Sequence, residues 1–198
     1  MSMTTKLTNI LNAIDRMNEQ DPNTTIVDSI AQPKELLYGH YMSECLAKHW
    51  PDAGEYLQIA ARAQHIKRWH LKRTAFSEGR QGYLTWRKAL GMFHAQTTKE
   101  LMIEYDYSDL EAEATASIIR KEHLKTNHQS QTLEDVACLV FLQHYFNEFA
   151  AKHSEEKIIR ILQRTWKKMS EQGRKIALSL NLPSHLANLV EKALNEDS

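Results

Sequence analysis

Glycine and proline are scarce in this chain, which contains six and four of them in 198 residues. Between these few turn signals, the apolar residues recur with the period of a helix rather than the alternation of a strand. Leu7, Ile10, Leu11 and Ile14, for example, share one face of a helix predicted over residues 4–18. The pattern therefore predicts an all-α protein.

The same periodicity and the capping signals predict a bundle of about seven to eight helices. The predicted segments are residues 4–18, 33–50, 52–73, 83–105, 108–125, a helix beginning near 133, 154–180 and 184–196. Two of them begin at a capping box, Asp52-Ala-Gly-Glu55 and Ser108-Asp-Leu-Glu111, in which each side chain satisfies a free backbone N–H group. The run at residues 136–142 is apolar nearly all round and predicts a central helix.

Length and composition favour one helical domain over residues 1–198. A hydrophobic content of 42% is ample for one sizeable core, predicted over residues 34–152, with peripheral helices over 154–196. The 25 basic and 25 acidic residues balance, and the isoelectric point is near 7.2. This balance argues against affinity of the whole molecule for nucleic acid or anionic membranes.

The two cysteines, Cys45 and Cys138, both lie within hydrophobic helical patterns. A disulfide framework is therefore not expected, and a reducing compartment fits. No apolar run approaches the roughly 20 residues of a membrane span, and the N-terminus lacks the apolar region of a signal peptide. These observations predict a cytoplasmic protein without membrane association, whereas the oligomeric state is not predicted.

Five ionisable residues occupy helical positions where apolar side chains are expected: His40, His65, His94, Glu122 and Asp135. Burial of such groups is costly unless they are paired or bind a metal. Their presence on five successive helices therefore predicts a shared metal centre. Imidazole and carboxylate ligands suit a divalent transition metal, namely iron, manganese, zinc or nickel.

Each of these residues also has a simpler explanation. A single histidine on an apolar face is usually a hydrogen-bonded core residue. Asp135 fits a capping box that begins at Thr132, and Glu122 has Lys121 and Lys125 as neighbours for ion pairs. His123 lies on a second predicted buried face and is an alternative to Glu122 as a ligand.

Cationic and aromatic residues surround the predicted ligands in the sequence. Those predicted to bind a small anionic substrate are Arg68, Arg80, Tyr83, Trp86, Arg87 and Lys125. Arginine side chains beside a glycine-containing loop are suited to binding phosphate or carboxylate groups. The alternatives are a solvated basic surface and, for Tyr83 and Trp86, a place in the hydrophobic core.

Several runs of residues resemble an uncharacterised family of bacterial and fungal proteins known only as a domain of unknown function. These runs are Ala63-Gln-His-Ile-Lys-Arg-Trp69, Gly79-Arg-Gln-Gly-Tyr-Leu-Thr-Trp-Arg87, Arg120-Lys-Glu-His-Leu-Lys125 and Gln131-Thr-Leu-Glu-Asp-Val-Ala-Cys-Leu-Val-Phe-Leu142. Some members carry a glutamyl-tRNA synthetase label. The chain has no predicted Rossmann-type nucleotide fold, so this label is not adopted.

A more distant resemblance is to the His-Asp (HD) superfamily of helical metal-dependent phosphohydrolases and related di-iron oxygenases. The run Ala60-Ala-Arg-Ala-Gln-His-Ile66 is similar to the helix that carries the His-Asp doublet of that family. The resemblance implies that His40 and Asp135 complete the first metal site, and that His94 with Glu122 or His123 supplies further ligands. The chain departs from the pattern because Gln64-His65 replaces the doublet.

Together these features predict a metal-dependent hydrolase acting on a small phosphorylated or nucleotide-like substrate. Glu122 is predicted as a metal ligand or general base, and Lys121, with the arginines, as a residue that orients the anion. A non-haem iron oxygenase on the same scaffold is the first alternative. A non-catalytic helical binding module, in which the histidines are structural, is the second.

Overall fold

The computed structural model describes residues 5–195, which form ten α-helices and one β-hairpin. The elements are α1 (Thr5–Asn18), β1 (Thr24–Val27), β2 (Ile30–Pro33), α2 (Lys34–His49), α3 (Glu55–Ala63), α4 (Gly79–Glu104), α5 (Asp109–Ile119), α6 (His128–Val140), α7 (Phe146–Ala151), α8 (Glu155–Lys168), α9 (Glu171–Leu178) and α10 (Ser184–Asn195). Short 3₁₀ turns at Arg68–His70 and Arg73–Ala75 precede α4, and a π-helical turn at Phe141–Tyr145 precedes α7. The prediction of a predominantly α-helical fold is confirmed.

The β-hairpin was not predicted. Its strands are antiparallel, with Thr24 opposite Pro33 and Val27 opposite Ile30. Asp28 and Ser29 form the turn with φ angles of 49° and 64°, the left-handed conformation of a two-residue hairpin loop. The β-branched run at residues 24–27, followed by Asp-Ser, is the sequence signal for this element.

The chain divides into two compact units, Met1–Leu133 and Glu134–Ser198. The division falls within α6. It lies earlier in the chain than the predicted border between the core, residues 34–152, and the peripheral helices, residues 154–196. The His65 segment belongs to the first unit and Asp135 to the second.

The core of the first unit forms where α3 packs against α1, α2 and α5, and where α4 packs against α5. Ile10, Ile14, Met42 and Ile59 are completely buried there. Burial of each such side chain stabilises the fold by about 1.5–3 kcal/mol relative to exposure. The interior face predicted for α1, which includes Ile10 and Ile14, is therefore confirmed.

One of the two predicted capping boxes is present. Ser108 caps α5, because its Oγ accepts a hydrogen bond from the Glu111 N–H at 3.4 Å and its own N–H donates to Glu111 Oε2 at 2.8 Å. The box predicted at Asp52 is wrong, since α3 begins at Glu55 after Gly54 and has no side-chain cap. The carboxylate of Glu55 instead accepts a hydrogen bond from the hydroxyl of Tyr107.

Two helices end earlier than predicted because the chain enters the left-handed region. Helix α3 ends at Ala63 rather than near Arg73, and Lys67 follows with a φ angle of 50°. Helix α5 ends at Ile119 rather than Lys125, and is followed by Lys121 at 55° and His123 at 53°. Residues with positive φ cannot continue a right-handed helix.

In the second unit, a polar contact interrupts the helix predicted over residues 154–180. Asp135 is buried and accepts hydrogen bonds from the backbone N–H of Ser170 at 2.8 Å and from its hydroxyl. Ser170 in turn caps α9 by accepting from the Gly173 N–H at 3.0 Å. A Cβ atom at Gly173 would lie 2.6 Å from Cγ of Asp135, so only glycine fits there. The prediction of one continuous helix is wrong for this reason.

Cys45 and Cys138 are free thiols and are buried, as the helical pattern predicted. Burial raises the pKa of the Cys45 thiol to about 11, which keeps it protonated near neutral pH. None of the helices within residues 5–195 combines the length and the hydrophobicity needed to cross a membrane.

Candidate functional site

The imidazole of His65 lies between a carboxylate and a guanidinium group in the first unit. Its Nδ1 is 3.0 Å from Glu35 Oε2, and its Nε2 is 3.4 Å from Arg68 Nη1. Arg68 Nε also lies 3.6 Å from Glu35 Oε1. The ring of His94 is the next imidazole, with its centroid 6.0 Å from that of His65. We refer to Glu35, His65, Arg68 and His94 as the His65 cluster.

Two buried polar residues hold the backbone of this cluster. Asn18, at the end of α1, accepts a hydrogen bond from the Lys67 N–H at 3.0 Å through Oδ1 and donates to the Glu35 carbonyl at 3.4 Å. Asp21 accepts from the Glu35 N–H at 3.1 Å, at the start of α2. The left-handed turn at Lys67 therefore places His65 and Arg68 beside the first turn of α2.

Aromatic rings fix the side chains of the cluster. The ring of Tyr38 stacks on His65 at a centroid distance of 3.8 Å and an interplanar angle of 10°. Arg68 lies over the ring of Trp86 at 5.0 Å, and the Trp86 indole N–H donates to the Leu71 carbonyl at 2.9 Å. Arg68 and Trp86 are thus in contact, and both groups are held in place by packing.

The tautomer of His94 follows from its contacts. Nδ1 lies 2.8 Å from the carbonyl oxygen of Ile66, which can only accept a hydrogen bond, so Nδ1 carries the proton. Nε2 therefore presents a lone pair, and this buried atom has no hydrogen-bond partner within residues 5–195. Burial lowers the pKa of His94 to about 3, against the opposing effect of the Ile66 hydrogen bond. His94 is thus a neutral acceptor at physiological pH.

The electrostatics of the cluster favour an anion. Burial lowers the pKa of His65 well below its usual value, and the charges of Arg68, Arg87 and Lys121 lower it further. Burial raises the pKa of Glu35 to about 7, although the positive charge of Arg68 opposes this. The cations that act on the cluster, Arg68, Arg87, Lys121 and Lys34, outnumber the two carboxyl groups, Glu35 and Asp21. Together with a neutral imidazole they form an environment suited to a bound anion.

The structure brings together some of the predicted metal ligands and separates others. His65 and His94 are neighbours, whereas His40 Nε2 lies 3.4 Å from Asp15 Oδ2. The predicted inward position of Glu122 is wrong, because α5 ends before it and its exposed carboxylate accepts from Arg120 Nε at 2.6 Å. His123 is exposed as well, contrary to its predicted burial.

The predicted ligands do not form a metal-binding group. No three His, Cys, Asp or Glu side chains within residues 5–195 are grouped so that they could hold a metal. Asp135, the fifth predicted ligand, is engaged by Ser170 within the second unit. The guanidinium of Arg68 also faces Nε2 of His65. A metal ion at these residues therefore finds two imidazole nitrogens and an adjacent cation, which is a poor fit.

Some of the predicted substrate-binding residues lie in or near the His65 cluster, and others do not. Arg68 and Trp86 are part of the cluster, and Arg87 and Lys121 lie close enough to lower the pKa of His65. Tyr83 contacts Trp86 at a centroid distance of 5.9 Å and is 47% exposed, so it is not a core residue. Arg80 and Lys125 are exposed, and no described contact connects them with the cluster.

Glu35 and Tyr38 are the site residues that the sequence did not reveal. An acidic residue in the first turn of a helix is common, since it complements the helix dipole, and Glu35 therefore carried no distinguishing signal. Tyr38 occupies an interior position of α2 and has the pattern of a core residue. Only the proximity of α2 to the turn at Lys67 shows their role.

The chain matches the model of one protein family. The family model described as "Domain of unknown function (DUF4202)" matches residues 8–190, and the chain belongs to this family. No curated protein matches the chain. No solved structure matches it.

Proposed function

We propose that this protein is a hydrolase that cleaves the phosphate ester of a small phosphorylated or nucleotide-like substrate at the His65 cluster. The observation that carries the proposal is a neutral imidazole, His65, held between Glu35 and Arg68 and within the electrostatic reach of Arg87 and Lys121. A base next to several cations is the combination that ester hydrolysis of an anion requires.

The cations supply the binding of the phosphate group. Arg68 presents a rigid guanidinium, because Trp86 lies beneath it and Glu35 lies beside it. Arg87 is exposed on α4, so its side chain can reach a ligand that enters from solvent. A guanidinium group can donate two parallel hydrogen bonds to two phosphate oxygens, and this fixes the orientation of the ester.

His65 supplies the base. Nε2 of the neutral ring takes a proton from a water molecule as the water oxygen attacks phosphorus, and the bond from phosphorus to the leaving oxygen breaks. The leaving alkoxide takes a proton from solvent, and His65 releases the proton on Nε2 to solvent, so the products are an alcohol and inorganic phosphate. Because a bound dianion offsets the charges of Arg68, Arg87 and Lys121, it raises the pKa of His65 and makes Nε2 more basic.

Dependence on a divalent transition metal stays a prediction from the sequence. A bound metal would supply an activated water molecule and charge stabilisation at the phosphoryl group. His65 and His94, whose ring centroids are 6.0 Å apart, are the predicted ligands that would hold it. Because the donor set fits a metal poorly, no step of the proposed mechanism depends on one.

The test is a screen for release of inorganic phosphate. Purified protein is incubated at pH 8 with sugar phosphates, nucleoside 5′-monophosphates and p-nitrophenyl phosphate, first with a chelator and then with manganese, iron, zinc or nickel. We expect hydrolysis of at least one ester in the presence of the chelator. A preparation of the His65→Gln variant, purified identically, is the control for contaminating phosphatases.

Two results would contradict the proposal. If no ester is hydrolysed under any condition, although inorganic phosphate binds, the chain is a non-catalytic anion-binding module. Hydrolysis that requires an added metal would restore the metal-dependent mechanism predicted from the sequence.

We also propose a cytoplasmic location, which the two buried free thiols support.

A further inference from the structure

The contact between Glu35 and His65 has the geometry of a carboxylate that orients a catalytic imidazole. The two side chains are 17% and 18% exposed, and Oε2 lies 3.0 Å from Nδ1. Asn18 and Asp21 hold the backbone of Glu35, while the stacked ring of Tyr38 prevents rotation of the imidazole. Neither side chain can turn away without losing these contacts.

The position of Arg68 selects the tautomer of His65. A guanidinium group can only donate hydrogen bonds, and its Nη1 lies 3.4 Å from Nε2. A proton on Nε2 would face a second donor, so the arrangement favours a lone pair on Nε2 and the proton on Nδ1. Glu35, as an ionised carboxylate, then accepts a hydrogen bond from that N–H group. The same lone pair is the one that the proposed hydrolysis uses.

We propose that Glu35 is the positioning residue of this site: its carboxylate holds the proton of His65 on Nδ1 and stabilises the imidazolium formed when Nε2 takes a proton from water. This inference rests on the proposed function. The proton on Nδ1 stays on the ring throughout, and the ion pair with Glu35 balances the new positive charge. Glu35 acts through His65 and need not touch the substrate.

Charged groups on the neighbouring elements act electrostatically on Glu35 and His65. Glu35 faces Arg68 from the turn after α3, Asp21 from the loop before β1, and the adjacent Lys34. His65 also faces His94 and Arg87 of α4 and Lys121 beyond α5. Burial is the largest influence on Glu35 and raises its pKa to about 7. Catalysis should therefore increase as the pH rises through about 7, where the carboxyl group becomes ionised.

The experiment compares wild type with Glu35→Gln and Glu35→Asp. Proteins labelled with ¹⁵N at histidine are examined at pH 8 by two-bond ¹H–¹⁵N spectra, which distinguish the two imidazole tautomers. We expect the Nδ1–H tautomer of His65 in wild type, and loss of this preference in Glu35→Gln. For the best ester, kcat should fall by about 10²- to 10⁴-fold in Glu35→Gln with KM within about threefold. Glu35→Asp should recover about tenfold of that loss.

The pH profile gives an independent readout. The increase of kcat near pH 7 should disappear in Glu35→Gln and persist in Glu35→Asp. The inference is overturned if wild-type His65 carries its proton on Nε2, or if Glu35→Gln keeps both the tautomer and kcat. Should wild type hydrolyse no ester, the proposed function fails, while the spectra of the folded variants still decide whether Glu35 orients His65.

Discussion

Replacing His65 by glutamine is expected to lower kcat for the best phosphate ester by about 10³-fold, the usual contribution of a general base. Glutamine is polar and of similar size, but its side chain cannot take a proton from water. Affinity for inorganic phosphate should change by less than about threefold, because Arg68, Arg87 and Lys121 remain. Steady-state kinetics and phosphate titration of the same preparation measure both quantities.

The variant His40→Gln is the informative comparison for this result. The sequence predicts His40 as a metal ligand, but the structure places it beside Asp15, at 3.4 Å. We therefore expect His40→Gln to retain kcat within about threefold of wild type. Equal losses in the two variants would contradict a site centred on His65 and would favour the metal centre predicted from the sequence.

Acidification is expected to destabilise the protein strongly, and His94 should be a principal cause. Its pKa is lowered by burial to about 3 in the folded state, from a usual value of 6.5. Below pH 6.5 the unfolded chain binds a proton that the folded chain does not, so stability is lost as the pH falls toward 3. From pH 6.5 to 4.5 this loss is on the order of 3 kcal/mol for His94.

Urea unfolding of wild type and His94→Gln at pH 7 and 4.5 measures this effect. The difference in free energy of unfolding between the two pH values should be smaller in His94→Gln, whatever the substitution costs at pH 7. His128→Gln, a change at an exposed histidine, is the control and should match wild type. An unchanged pH difference in His94→Gln would show that His94 is protonated in the folded protein.

Glu35 acts in the opposite direction and limits this acid sensitivity. Because burial raises its pKa to about 7, the folded state binds a proton at Glu35 more readily than the unfolded state. Its contribution to stability is present below about pH 4.5 and is lost as the pH rises through 7. The pKa values of His65 and His94 are lowered in the folded state, so these two residues lose stability as the pH falls. Their combined effect on the free energy of unfolding is expected to exceed the opposite effect of Glu35.

Helical periodicity was sufficient to predict the fold class and most of the helices. Core positions such as Ile10, Leu11 and Ile14 follow directly from it. The helix ends were harder to predict because side chains distant in sequence determine them. Asn18 holds the turn at Lys67 that follows α3, and Asp135 binds Ser170 at the start of α9. A local pattern contains no information about such partners.

Only part of the candidate site was predicted, because local sequence patterns do not show contacts between distant residues. His94 is buried and the partly buried His65 lies beside it, and Arg68 and Trp86 lie with them. Glu122 was misplaced because its predicted burial depended on a helix that ends before it. Glu35 was missed because its role arises from a contact between α2 and the turn after α3, thirty residues apart in the chain.

The most direct test of the central claim, an anion bound beside His65, is calorimetric titration of inorganic phosphate into Arg87→Gln and Lys88→Gln. Each variant removes one positive charge, from adjacent exposed positions of α4. Of these two residues, Arg87 acts electrostatically on His65, His94 and Arg68, whereas no described interaction connects Lys88 with them. We predict a Kd about tenfold higher than wild type for Arg87→Gln and within about twofold for Lys88→Gln. Equal weakening in both variants, or no weakening in either, would contradict the claim.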